Sequence, residues 1–284
     1  MTASHPPRPE SDLHLDSTAH LMNSIGSRLA GQLRLVPPPG RRRPAPPALV
    51  LAAHGSRDPR ALATVRTLVD RIRELRPTLP VHLGHIELNE PLLPDTLAAL
   101  GGTQAVLVPL LLSRGYHVKQ DIPQMAAAAP VRARVAAPLG PHPLLAEALY
   151  DRLREAGWPA APDEPARRTS AVVLAAAGSR DPESATDTRR TARLLADRLG
   201  VPVVPAYACA ASPGVPAALR TLAARGRHRV AIASYFTAPG RFATQVAQAA
   251  PWIAAAPLGA HPAMARLVLR RYAECLATPW TEAA

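Results

Sequence analysis

The chain carries one plan twice, in tandem. Leu51-Ala-Ala-His-Gly-Ser-Arg-Asp-Pro59 recurs as Leu174-Ala-Ala-Ala-Gly-Ser-Arg-Asp-Pro182, identical at eight of nine positions. Pro91-Leu-Leu-Pro94 recurs as Pro213-Gly-Val-Pro216, and Ala137-Pro-Leu-Gly-Pro-His-Pro143 as Ala256-Pro-Leu-Gly-Ala-His-Pro262, in the same order and at nearly the same separations. Three ordered matches mark a duplication, so whatever fold the chain adopts must be one that half of it already specifies.

Each copy alternates short apolar runs with helical patterns, the signature of a parallel α/β sheet. In the first copy the pattern predicts strands at Ala48–Ala53, near 81–86, at Ala105–Leu110 and near 131–136. Helices are predicted from Pro59, with Asp58 as N-cap, from about Pro94 and from Pro143, with a loop through Asp121. The expected architecture is two doubly wound parallel-sheet domains of about four strands each, facing one another across a cleft. Residues 1–46 read as a disordered Pro/Arg-rich tail, 47–157 as the first domain, 158–168 as a linker and 169–284 as the second domain. Each domain is long enough to bury a core of its own.

Aromatic residues make up only 4% of the chain, which suits helices on small parallel sheets better than a β-sandwich. The formal charge of +12 is almost wholly arginine, since Lys119 is the only lysine. Basic residues do not cluster with aromatic stacking partners, so nucleic acid is not an expected partner. A compositional bias toward arginine explains the excess, as does a polyanionic ligand, whose carboxylates suit bidentate guanidinium groups. Cys209 and Cys275 lie far apart and give neither a disulfide framework nor a thiolate zinc site. With no apolar run of about eighteen residues and no signal-peptide pattern, a cytoplasmic protein without a membrane partner is expected.

Three segments at predicted strand ends carry chemistry: His54-Gly-Ser-Arg57, Glu87-Leu-Asn-Glu-Pro91, and Leu111-Leu-Ser-Arg-Gly-Tyr-His117 with Asp121-Ile-Pro123. Together they resemble the sirohydrochlorin chelatases, the class II tetrapyrrole chelatases that insert cobalt or iron, over residues 48 to about 277. The resemblance implies a lyase that places Fe2+ or Co2+, as substrate, into the polycarboxylate macrocycle sirohydrochlorin. It implies His54, His117 and Glu87 as catalytic residues and metal ligands, with Glu90 in the same turn as the alternative carboxylate. Gly55, Ser56, Arg57, Arg114, Gly115 and Tyr116 are then expected substrate contacts. The chemistry asks for such groups independently of the family. Imidazole binds borderline divalent metals and titrates near neutral pH, so it can both hold the ion and accept pyrrole protons. No organic cofactor is expected, because neither a P-loop nor a G-x-G-x-x-G pattern stands at a strand end. Iron and cobalt are both compatible with these ligands, and the lack of a cobalamin-specific mark favours iron. A monomer or weak homodimer is expected; a non-catalytic tetrapyrrole or metal carrier on the same fold is the alternative.

Comparing the copies divides the candidates. His54 corresponds to Ala177, Glu87 to Cys209 and His117 to Phe242, so the three groups are absent together from the second copy. Gly-Ser-Arg-Asp-Pro and Pro-Leu-Gly-x-His-Pro remain in both. Retained residues are therefore assigned to the fold or to shared ligand contacts, and the unshared ones to metal chemistry. Ser56 and Arg57 stay open between loop capping and carboxylate binding, while His142 and His261 are expected to cap helices. His85 lies near the site by direction alone.

Overall fold

The computed structural model describes residues 46–161, 163–278 and 280; the expected tail, apart from Pro46, lies outside them. The first sheet contains β1 (Ala48–Ala53), β2 (Val81–His85), β3 (Ala105–Pro109) and β4 (Ala133–Val135) in the order β2-β1-β3-β4. The second contains β5 (Ser170–Ala176), β6 (Val203–Tyr207), β7 (Arg229–Tyr235) and β8 (Ile253–Ala254) in the equivalent order β6-β5-β7-β8. All pairings are parallel. The central strands β1 and β5 are buried at every position, as strands covered by helices on both faces must be. The expected fold class is thus observed.

Local signals act as expected at the helix starts. Asp58 accepts the Arg60 N–H at 2.9 Å and Asp181 the Glu183 N–H at 2.9 Å, each with Pro at the first helical position. Two expectations need correction. The stretch through Asp121 is not a loop: His117–Asp121 forms a π-helical turn that runs into the helix Ile122–Ala127. Pro123 hid this from the sequence, because a proline within a helical pattern forgoes a backbone bond and reads as a break. Within the expected linker, Glu164–Thr169 is helical behind an Asp163 cap, and Trp158 is 1% exposed, its ring 5.5 Å from Trp252 of the second half.

The halves also do not bury separate cores. Each sheet has an outer cluster, such as Leu93, Leu97 and Ile122 in the first half and Val215, Leu222 and Val246 in the second. The main cluster is common, joining Leu49, Leu149 and Leu153 to Leu174, Leu195 and Leu267. Its cause is an exchange of helices. Pro143–Glu155, the last helix of the first half, packs on Pro182–Leu199 and β7, while Pro262–Ala277, the last helix of the second, packs on Pro59–Leu75 and β3. Matching hydrogen bonds tie the exchange: Arg152 donates to the Leu258 carbonyl at 3.2 Å and Arg271 to the Leu139 carbonyl at 3.1 Å. Both acceptors belong to the Pro-Leu-Gly-x-His-Pro repeat. A common core makes unfolding one cooperative event. Leu149→Ala is expected to cost about 3 kcal/mol and to leave a single transition seen alike by circular dichroism and tryptophan fluorescence. Two separate transitions would contradict the shared core.

The repeat histidines cap the exchanged helices. His142 Nδ1 accepts the Leu144 N–H at 3.1 Å, and His261 Nδ1 accepts the Ala263 N–H at 3.2 Å. An accepting Nδ1 is unprotonated, and burial pushes both imidazoles below their usual value near 6.5. As pH falls the unfolded chain therefore takes up these protons first. The contribution of the caps is full above about pH 6.5 and disappears as pH drops through the lowered folded values. Thermal unfolding should move to lower temperature between about pH 7 and pH 5. The fall should be smaller in His142→Asn/His261→Asn, whose amide oxygens cap without titrating; an equal fall would exclude the caps as its source.

Candidate active site

His54 follows β1 directly and Glu87 lies two residues beyond β2, so parallel pairing brings them side by side. The Glu87 N–H donates to the His54 carbonyl at 3.1 Å, continuing the ladder past the strands. Glycine is required between them: Gly55 has φ +99°, and a Cβ there would stand 1.8 Å from the Glu87 carbonyl oxygen. The second half repeats the arrangement without the chemistry. Cys209 donates its N–H to the Ala177 carbonyl at 2.9 Å, and a Cβ on Gly178 would lie 1.9 Å from the Cys209 carbonyl. The correspondence of His54 with Ala177 and of Glu87 with Cys209 is therefore structural. Gly55 lines the cleft, but this close approach already explains why it is glycine.

His117 opens the π-helical turn after β3, and its ring meets that of His54 edge to face with centroids 4.7 Å apart. Each ring has a carboxylate behind it. His54 Nδ1 is 3.4 Å from Glu87 Oε1, and His117 Nδ1 is 2.5 Å from Asp121 Oδ2. Neither Nε2 has a hydrogen-bond partner among the described residues. A carboxylate on Nδ1 orients an imidazole and makes the opposite nitrogen a better donor to a metal or proton. Expected as an auxiliary ligand, Glu87 thus stands where it can orient His54. Among the described residues no group of three His, Cys, Asp or Glu side chains converges as a metal cage. Glu90 turns away, its carboxylate accepting the Leu92 N–H at 3.1 Å.

Asp121, part of the third motif but given no role from the sequence, is the carboxylate that stands behind His117. Its signal is the His117-x-x-x-Asp121 spacing, which places both groups on one face only once the segment is helical. His85 is 1% exposed beside this site, with Nδ1 donating to the Pro91 carbonyl at 3.2 Å; burial pushes its imidazole below the usual value.

The His117 loop is fastened to the second half. Arg114 donates its backbone N–H and its guanidinium to the fully buried Asp187, at 3.1, 2.9 and 2.6 Å, and also pairs with Glu183. Lys119 bridges Asp181 at 2.5 Å and Glu183 at 2.6 Å. Tyr235 donates to the Leu112 carbonyl at 2.9 Å, and the Ser113 and Ser184 hydroxyls lie 2.9 Å apart. Arg114, expected at the substrate, thus has its donors engaged within the protein. Ser56 also serves its own loop, its N–H donating to Asn89 Oδ1 at 2.7 Å and its hydroxyl accepting the Asp58 N–H at 3.1 Å. Ser179 accepts from Asp181 in the same way.

Both histidines face a cleft between the halves. One cavity of about 430 Å³ is lined by His54, His117, Gly115 and Tyr116 against Ala177, Cys209 and Phe242. A second of about 390 Å³ adjoins it through His54, Phe236 and Phe242 and extends past Arg57 and Leu88. Leu88 and Tyr116, 53% and 67% exposed, are two of the three large apolar side chains left open to solvent among the described residues, and both lie at this cleft. Exposed apolar groups gathered at one place mark a ligand surface. Asp187→Asn should loosen the Arg114 anchor and lower any His117-dependent turnover by roughly tenfold or more, while His54→Ala/Asp187→Asn falls no further than His54→Ala. Wild-type turnover in Asp187→Asn would show that the anchor does not position His117.

The family model described as CbiX matches twice, at residues 48–156 and 171–275. A curated sirohydrochlorin cobaltochelatase from Methanococcus aeolicus is 40% identical over 81 residues, covering 28% of this chain and 57% of its own. A sirohydrochlorin ferrochelatase from Bacillus subtilis is 31% identical over 176 residues, covering 58% and 64%. The chain therefore spans less than two thirds of the length of these two relatives. The solved structure of SirB from Bacillus subtilis with Fe3+ superposes with a TM-score of 0.63 at 25% identity, over 81% of this chain and 95% of that one.

Proposed function

The chain belongs to the CbiX family, and on that premise we propose that it inserts a divalent metal, iron or cobalt, into sirohydrochlorin at the His54–His117 pair. The observation that carries this is two adjoining imidazoles, each with Nδ1 against a carboxylate and Nε2 unpartnered, at the wall of a cleft. Insertion replaces two pyrrole N–H protons by one dication. The Nε2 atoms offer the incoming ion two neutral donors, and they take up the pyrrole protons as the ring nitrogens bind the metal. Glu87 and Asp121 stabilise the imidazolium formed. His54 is 45% exposed on its side chain, so its proton passes on to water. Leu88, Tyr116, Phe236 and Phe242 supply apolar surface for the macrocycle faces, while Arg57, exposed and unpaired among the described residues, is available to a peripheral carboxylate. Ser56 and the backbone of Gly55 and Gly115 complete the proposed contacts.

Iron and cobalt remain joint substrates in this reading, since imidazole accepts both. The metals in the relatives' names differ in the same way, one a cobaltochelatase and one a ferrochelatase. Anaerobic mixing of protein, sirohydrochlorin and Fe(II) or Co(II), followed by absorbance, tests the activity directly. His54→Ala and His117→Ala are each expected to slow insertion at least about a hundredfold. Insertion by both at the wild-type rate would remove the histidines from the mechanism. Binding of macrocycle and metal by wild-type protein without insertion would make it a carrier.

A further inference from the structure

The duplication gives the cleft two edges related by the internal symmetry, and they are built differently. At one edge the His117 loop of the first half meets the Pro182–Leu199 helix of the second, closed by the Arg114 and Lys119 ion pairs. At the related edge the partners would be the Gly240 loop of the second half and the Pro59–Leu75 helix of the first. There Arg60 and Thr64 stand where the other edge has Glu183 and Asp187, and Pro239 and Thr244 where it has Arg114 and Lys119. No ion pair joins this edge among the described residues. Instead it opens as a cavity of about 790 Å³, lined by Arg57 and Arg60 on one side and Arg241 and Gln245 on the other. Ser56, Arg57 and Arg241 also line the cavity that contains His54, so the opening leads to the histidines.

The charges of the two edges differ accordingly. The closed edge balances its cations against Asp181, Glu183 and Asp187. The open edge presents three guanidinium groups and a single carboxylate, Asp58, which is taken by Arg60 at 2.7 Å. Arg57 has no ion pair or hydrogen bond among the described residues. Among the described residues Arg241 has no ion pair or hydrogen bond; its guanidinium carbon lies 4.7 Å from the Phe242 ring centroid, which holds it at the mouth and leaves its N–H donors free.

We infer that this open edge is a carboxylate-docking entrance: a polyanionic macrocycle enters between Arg57 and Arg241, with the ion-paired edge as its fixed far wall. The inference rests on the proposed chelatase activity and adds to it a direction of entry and a specificity for anionic rims. Concentrated unpaired arginines at a cleft mouth attract an anion from solution and hold carboxylates by charge-assisted hydrogen bonds.

Binding of metal-free sirohydrochlorin to full-length protein, followed by fluorescence at several salt concentrations, tests it. Arg57→Gln/Arg241→Gln is expected to bind roughly tenfold more weakly, with a flatter salt dependence and the loss falling on KM rather than kcat. Arg220→Gln/Arg225→Gln removes the same charge from exposed positions outside the cleft and should bind as wild type does. Unchanged affinity in the Arg57/Arg241 variant overturns the entrance, as does equal weakening in the Arg220/Arg225 control, which would reduce the effect to net charge. His54→Ala/His117→Ala separates the two readings, for it should fail to insert metal while whatever affinity it has keeps the steep salt dependence that Arg57→Gln/Arg241→Gln loses. If wild-type protein binds and inserts while the Arg57/Arg241 variant matches it, only the entrance fails. If wild-type protein neither binds nor inserts, the function itself fails.

Discussion

The exchange of terminal helices is the constraint on which the rest depends. Because Pro143–Glu155 lies on the second half and Pro262–Ala277 on the first, neither sheet is covered without the other, and the carboxyl ends of both sheets are fixed across one cleft. The repeated Pro-Leu-Gly-x-His-Pro segment belongs to this exchange. Its leucine carbonyl receives an arginine from the opposite half and its histidine caps the helix that crosses over. A histidine retained in both copies thus serves the frame, and His54 and His117, present in one copy, line the cleft.

Once the frame is held by both halves, residues at the strand ends of one half are free to diverge. The first half keeps imidazoles and carboxylates there; the second presents Ala177, Cys209 and Phe242 at the same positions. The second half has a different assignment in return, because Asp181, Glu183 and Asp187 hold the loop that carries His117. Asp187 is fully buried, and a buried carboxylate is tolerable only when its charge is met, here by three donors of Arg114. That requirement fixes the register of the loop.

Much of this was legible in the sequence. The repeat, the strand periodicity and the Asp-Pro helix starts led to two parallel four-stranded sheets, and motif alignment paired His54 with Ala177 and Glu87 with Cys209 as the backbone does. What could not be read were contacts between halves. Periodicity says which face of a helix is apolar but not whose sheet it meets, so the common core was taken for two cores. The anchoring of Arg114 could not be read either, because its partners lie about seventy residues away in the other copy. Asp121 was given no role because Pro123 reads as a break, which hides its helical spacing to His117.

On the proposed function, the sparseness of the ligand set follows from the metal being a substrate. A site with four protein donors, such as a structural zinc site, holds its ion against exchange. Two imidazoles leave most coordination positions to water and then to pyrrole nitrogens, so each protein bond can be given up as a ring bond forms. A carboxylate as a third ligand bound directly to the ion would retain it by charge. Placed behind the imidazoles instead, Glu87 and Asp121 would favour the protonated rings that remain after the metal has left, and so would act on the products of insertion rather than on the captured ion.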